Sequence, residues 1–187
     1  EQSKGSETGE KIFQTNLYHY AGTGHLAINY AKLMKVGYDG LIKEAEERLG
    51  QLSMRDPEYN DKRDFYEAMI IMHKAAKKYI ERYAELCDRK SIEEKDKKRQ
   101  NELKCMAENC RKIAGGAPQT FWQAMQLFNI ATTLIQVESN GHSISYGRMD
   151  QWLYPFYKKD IENGTITKEF ALELIEVEYV KMNNPTK

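Results

Sequence analysis

The amino-acid sequence predicts a mainly α-helical chain, on three observations. Apolar residues recur every three or four positions over most of its 187 residues. Helix-start signals precede the periodic stretches, at Asp56-Pro57, at Thr120 with Gln123, and at Thr167. Helix breakers separate them, at Gly37 and Gly40 and at Gly115-Gly116-Ala117-Pro118. A period of 3.6 marks an amphipathic helix, and these signals place its ends. No internal repeat is detectable.

Residues 1–10 are rich in Gly, Ser and Glu without apolar period and read as a flexible or cut end; residues 11–187 read as one unit. Leu33, Val36, Leu41, Ala45, Leu49 and Leu52 fall at helical spacing interrupted by Gly37 and Gly40, which predicts two helices or one broken helix. Asp56 accepts orphan amide donors and Pro57 tolerates the first turn of the next helix. Its apolar face is predicted at Phe65, Met69, Met72, Ala76, Tyr79 and Tyr83, widened by Ala68, Ala75, Ile80, Leu86 and Cys87. His73, among lysines, reads as a surface or boundary residue and His19 has no motif support.

Residues 91–104 are densely charged and predict a solvated helix, in which Leu103, Ala107, Cys110 and Ile113 form a narrow stripe. After the Gly-Gly-Ala-Pro break, Thr120 and Gln123 suit a capping box. The helix that follows is apolar on several sides, from Phe121 to Val137, and is expected to need further protein to cover it. A polar run, Asn140 to Gly147, leads into a helix that Pro155 should restart or kink. A last helix follows Thr167, carrying Phe170, Leu174, Ile175, Val177 and Val180, and ends at Asn183-Asn184-Pro185.

Composition narrows the function classes. Hydrophobic residues at 41% and charged residues at 30% describe a soluble globular chain. The balance of 28 basic and 28 acidic residues leaves no electrostatic footprint for nucleic acid or an anionic membrane. No stretch approaches a membrane span and the start has no signal-peptide pattern, so the chain reads as cytoplasmic. Cys87, Cys105 and Cys110 are odd in number and lie in helical stretches, so they read as reduced thiols. The five-residue gap between Cys105 and Cys110 suits neither a zinc knuckle nor one helix face, so no metal site is expected.

The segment from Glu138 to Tyr157 concentrates His142, Ser143, Ser145, Arg148 and Asp150 between glycines, which is how a scaffold presents convergent polar groups. A purely structural reading is also open: Asp150 caps the next helix, Arg148 pairs with it, and the serines satisfy a turn.

This segment resembles the signature of glycyl radical diol dehydratases in the pyruvate formate-lyase superfamily, in the order Glu138-Ser-Asn-Gly-His-Ser143, Gly147-Arg148, Asp150-Gln151, Leu153-Tyr-Pro155 and Tyr157. Gly22-Thr-Gly-His25-Leu26, Asn29-Tyr30, Lys35 to Ile42 and Glu44 to Leu49 are similar to a second block of that family. Phe65 to Met69 and Arg82-Tyr-Ala84 are similar to a third. The likeness covers about residues 20–184 and is greatest to the B12-independent glycerol and propanediol dehydratases.

The resemblance implies a ten-stranded α/β barrel in the complete enzyme, of which this chain is an internal part. It implies that His25, His142 and Ser143 hydrogen-bond the hydroxyls of a small vicinal diol such as glycerol or 1,2-propanediol. Either histidine then serves as proton donor to the departing hydroxyl, and Asn140, Gly141, Arg148 and Asp150 support the site. Imidazole and hydroxyl groups suit that task because each donates and accepts. His25 and the His142-Ser143 pair are therefore expected to converge on one cavity wall.

The family requires a thiyl-forming cysteine in a Cys-Val-Glu type loop and a glycyl radical in a C-terminal Arg-Val-x-Gly-Tyr type loop. Cys87, Cys105 and Cys110 do not match the first, and Val36-Gly37-Tyr38 lacks the Arg-Val-x that precedes the second. No catalytic residue of the radical relay is expected here, and the chain alone is expected to be inactive. The resemblance further implies a radical S-adenosylmethionine activating enzyme as partner, a homodimer as one possible assembly, and no cobalamin or bound metal. Related branches eliminate other groups or decarboxylate arylacetates on the same scaffold, and Tyr146 and Trp152 leave the substrate open. The rival reading is a helical interaction protein with Met69, Met72, Phe121, Trp122, Met125 and Phe128 as its partner surface.

Overall fold

A computed structural model describes residues 25–139 and 143–182 of the chain. Among these residues the order is β1 (Leu26–Ala27), α1 (Tyr30–Gly50), α2 (Tyr59–Glu93), α3 (Lys97–Gly115), α4 (Phe121–Ser139), β2 (Ile144–Ser145), α5 (Met149–Glu162) and α6 (Lys168–Met182). The chain is mainly helical, as its periodicity predicts. The expectation for residues 1–10 falls outside the described residues, as do His19, Asn140, Gly141 and His142.

α1 is broken at Gly37, whose φ of 62° and ψ of −177° leave the helical region. A Cβ at Gly37 would come within 2.4 Å of the Gly116 carbonyl carbon and 2.6 Å of the Ala117 nitrogen. Glycine is therefore required twice over, for its left-handed φ and for the approach of the linker between α3 and α4. Val36-Gly37-Tyr38 is thus a packing element of α1.

α2 begins two residues later than Pro57 suggests. Asp56 caps the preceding turn, accepting from the Glu58 amide at 2.9 Å, and Glu58 is the residue before the helix. The buried seam of α2 is His73, Ala76, Ile80, Ala84, Cys87 and Ser91. This corrects the predicted face: Phe65, Met72 and Tyr83 are exposed, and so is Ile71. Ala76, Ile80 and Cys87 of the predicted face are buried as expected, and the alanines of the seam let α1 and α3 approach. His73 is also corrected, since it is buried beside the Tyr38 ring and burial lowers its pKa.

A three-residue link ends in Asp96, whose carboxylate accepts from the Lys98 and Arg99 amides at the start of α3. Leu103, Ala107, Cys110 and Ile113 are buried as predicted. Burial raises the thiol pKa values of Cys87 and Cys110, the latter to about 11, which keeps both protonated and unreactive.

α4 is the axis of the core and packs against α1, α2, α3, α5 and α6. Phe121, Ala124, Met125, Leu127, Phe128, Ile130 and Ala131 are buried by these neighbours. The expectation that α4 exposes much apolar surface is therefore corrected; Val137, near its end, is the large exposed residue on it. A partner surface built on Phe121, Met125 and Phe128 is excluded on the same ground. The larger exposed apolar face lies on α6, at Leu172, Val177, Tyr179 and Val180.

Half of the expected capping box at α4 forms, with the Gln123 amide donating to Thr120 Oγ1 at 3.2 Å. The Gln123 side chain accepts from the Gln119 amide instead of closing the box. The buried carboxylate of Asp160, from α5, accepts from the Phe121 amide at 2.7 Å and supplies a second cap. α5 continues through Pro155 without restarting. Thr167 caps α6 through the Phe170 amide at 3.1 Å.

Candidate functional site

β1 and β2 pair in parallel, with Leu26 opposite Ile144 and Ala27 opposite Ser145. The pairing joins segments more than a hundred residues apart and sets the preceding residues, His25 and Ser143, in adjoining positions. Neighbouring strands lie about 5 Å apart. Both residues have left-handed backbones, with φ of 60° at His25 and 48° at Ser143. Non-glycine residues seldom adopt this conformation, and it turns each chain sharply where it enters the ladder. Both are exposed, so this chain presents them on an open surface.

Of the sequence-predicted residues, the structure thus brings His25 and Ser143 together. Arg148 and Asp150 form a forked ion pair on the surface, with Nε to Oδ1 at 2.9 Å and Nη2 to Oδ2 at 2.7 Å. The arginine lowers the Asp150 carboxyl pKa. This local geometry accounts for both side chains within the start of α5. Exposed pairs of this kind stabilise little.

Directly behind the seam lies a cluster that sequence reading did not assign. Tyr30, three residues after β1, is 1% exposed and stacks on Trp152 with ring centroids 5.1 Å apart. It meets Phe128 edge-on, also at 5.1 Å, and its hydroxyl is 2.8 Å from Thr132 Oγ1. Tyr146, immediately after β2, meets the same Phe128 ring edge-on at 5.4 Å. Tyr146 and Trp152 therefore face the α4 core.

A buried polar layer continues from these rings. Asn129 donates to Glu178 Oε1 at 3.3 Å, and Glu178 is 4% exposed. Burial raises the Glu178 carboxyl pKa and, together with the nearby Glu178, that of Tyr146; the Gln136 amide opposes the latter shift. Gln136 is buried, and its Oε1 has no hydrogen-bond partner among the described residues. The available signal was the run of Asn129, Thr132, Thr133 and Gln136 in an otherwise apolar helix. Among the described residues no group of three or more His, Cys, Asp or Glu side chains is placed to hold a metal ion. A shallow depression lined by Glu173, Glu176, Val177, Val180 and Lys181 lies on α6.

The chain is 72% identical over 187 residues to (2S)-3-sulfopropanediol dehydratase from Klebsiella oxytoca, covering all of this chain and 23% of that protein. Among solved structures, it is similar to the glycerol-bound B12-independent glycerol dehydratase from Clostridium butyricum, with a TM-score of 0.83 and 40% identity over 89% of this chain and 21% of that one. It is also similar to a Roseburia inulinivorans protein described for 1,2-propanediol dehydration, with a TM-score of 0.85 and 34% identity, covering 89% and 20%. The chain spans about a fifth of the length of the proteins it matches. The Pyruvate formate lyase-like family model matches residues 3–187, and the chain belongs to that family.

Proposed function

We propose that this chain is the substrate-binding portion of a glycyl radical dehydratase that converts a small vicinal diol to an aldehyde. The observation that carries the reading is the parallel seam, whose register brings the backbone of His25 next to that of Ser143 from segments more than a hundred residues apart. A diol offers few hydrogen-bonding atoms, so the groups that hold it must meet within a few ångströms. His142, adjacent to Ser143 in sequence, completes the proposed set.

The radical relay, carried by other parts of the enzyme and loaded by a radical S-adenosylmethionine activase, supplies hydrogen abstraction from the carbon bearing one hydroxyl. The residues of this chain hold the two hydroxyls and manage the proton. Ser143 shares one hydrogen bond with one hydroxyl, as donor or acceptor. A protonated imidazole donates to the other as the carbon–oxygen bond breaks, so that the hydroxyl leaves as water; the proton of the remaining hydroxyl passes to the imidazole so left neutral, and return of the abstracted hydrogen to the carbon that lost its oxygen completes the aldehyde. Because His25 and Ser143 are exposed here, the reading requires the rest of the enzyme to cover them and exclude water.

The 72% identical relative favours (2S)-3-sulfopropanediol over glycerol or 1,2-propanediol as the diol. The test is the complete, anaerobically activated enzyme offered all three substrates, with aldehyde measured and radical content read by electron paramagnetic resonance. Aldehyde is expected from the sulfonated diol at the highest kcat/KM. His25→Ala should remove turnover by about a hundredfold or more while the radical signal persists. A fully radical-loaded enzyme that yields no aldehyde from any of the three diols would overturn the reading.

A further inference from the structure

We propose that Tyr30 and Tyr146, both edge-on to the Phe128 ring, are positioning residues that set the register of β1 on β2 and so the spacing of His25 and Ser143. The inference deepens the preceding reading and rests on it for the meaning of that spacing.

Each strand is two residues long, so the ladder contains few hydrogen bonds to fix its own alignment. A two-stranded pairing of this length is not stable in water without side-chain support. Parallel strands also need a long crossover, so no tight turn sets the register. Within this chain the support comes from side chains just outside the ladder.

Tyr30 and Tyr146 are the aromatic residues closest to the two strands on their C-terminal sides, and they converge on one ring of α4. Trp152 closes the group, stacked on Tyr30 and 5.2 Å from Phe128. Rings have one or a few packed orientations, so a shared ring transmits position between two chain segments better than flexible aliphatic contacts. The Tyr30 hydroxyl, paired with Thr132, fixes the height of the β1 side along α4. A slip of one residue between the strands would move Ser143 away from His25 and pull Tyr146 off Phe128. Tyr146 acts through packing, not by touching the substrate.

The test compares Tyr146→Leu and Tyr146→Phe in the complete enzyme, with kcat normalised to glycyl radical content. Misplacing a binding group by about 1 Å costs on the order of a hundredfold. Tyr146→Leu should therefore lower kcat/KM per radical at least tenfold, with a raised KM, while the radical signal is unchanged. Tyr146→Phe, which keeps the ring, should restore activity to within about threefold of the wild type. Unchanged kcat per radical and KM in Tyr146→Leu would overturn the proposal, as would equal damage in Tyr146→Phe, which would assign the effect to the hydroxyl.

A second measurement is independent of the substrate. Amide hydrogen exchange in peptides containing Leu26–Ala27 and Ile144–Ser145 should accelerate in Tyr146→Leu and remain near wild type in Tyr146→Phe. Unchanged exchange in Tyr146→Leu overturns the clamp whatever the enzyme turns over. Accelerated exchange in an enzyme that acts on no diol upholds the clamp and overturns only the diol reading. If Tyr146→Leu does not fold, Tyr146→Met, which also lacks the ring, replaces it in both measurements.

Discussion

The layer formed by α1, α2 and α3 and the seam formed by β1 and β2 hold their residues by different means. In the layer, contact is continuous and made by small side chains such as Ala45, Ala76, Ala84 and Ala107, so position is distributed over many turns. At the seam, four strand residues are flanked by Tyr30 and Tyr146, which pack on the one ring of Phe128, so on the proposal above position is concentrated. The layer should therefore tolerate single changes except where two backbones meet. The seam should fail through one residue.

Phe128→Ala breaks that comparison at its strongest point. Phe128 is fully buried and meets Tyr30, Tyr146 and Trp152. Its removal should cost about 3–5 kcal/mol in urea unfolding. A loss below about 1.5 kcal/mol, the range of a tolerated hydrophobic swap, would mean that the rings repack and the seam is not concentrated.

Gly37→Ala tests the layer where backbones touch. The φ of 62° with ψ of −177° alone should cost about 1–3 kcal/mol, and displacement of Gly116 and Ala117 should add to it. Gly50→Ala, at the end of α1 with open space around it, is the control and should be neutral or stabilising by up to about 1 kcal/mol in thermal unfolding. Equal effects at the two glycines would remove the close approach as an explanation.

The smallest effect is expected at Glu178, behind the seam, and it has the opposite sign. Burial raises its carboxyl pKa, against the Asn129 hydrogen bond and the Lys181 charge, so the folded protein holds this proton more tightly than the unfolded chain. Its contribution to stability is complete below the ordinary carboxylate range and is lost as pH rises through the raised value. Glu178→Gln mimics the protonated form and should raise the melting temperature at neutral pH. The gain should vanish in acid. A variant less stable than wild type at neutral pH would show that the charged carboxylate is needed.

Much of this fold was legible because helical periodicity and breakers are local properties. The stripe Leu103, Ala107, Cys110 and Ile113 and the break at Gly37 are two such cases. The face of α2 was misread because which residues are buried depends on how closely a neighbour approaches, and alanines permit the closest approach. α4 was read correctly as apolar, but no local pattern says that this chain's own helices cover it. The site residues were nameable through the likeness of two distant segments to one family. The pairing of Leu26 with Ile144 was not legible, because a two-residue parallel ladder leaves no periodic trace. Asp160 was missed for a related reason, since its cap acts on a helix that starts 39 residues earlier.

The seam also has a consequence for how the chain folds. Tyr30 and Thr132 are 102 residues apart, and β1 and β2 are farther apart still. Local helices form in about a microsecond, whereas contacts of such separation wait for the intervening chain to be ordered. Among the described residues, Tyr30 ties β1 to Phe128 and Thr132 of α4 and can do so only once α4 has docked. His25 and Ser143 should thus become neighbours only after the helical framework is complete, and partial opening should separate them first. The capacity to hold a diol would then appear late in folding and disappear early in unfolding, so a helical intermediate with nearly native circular dichroism would still be blind to substrate.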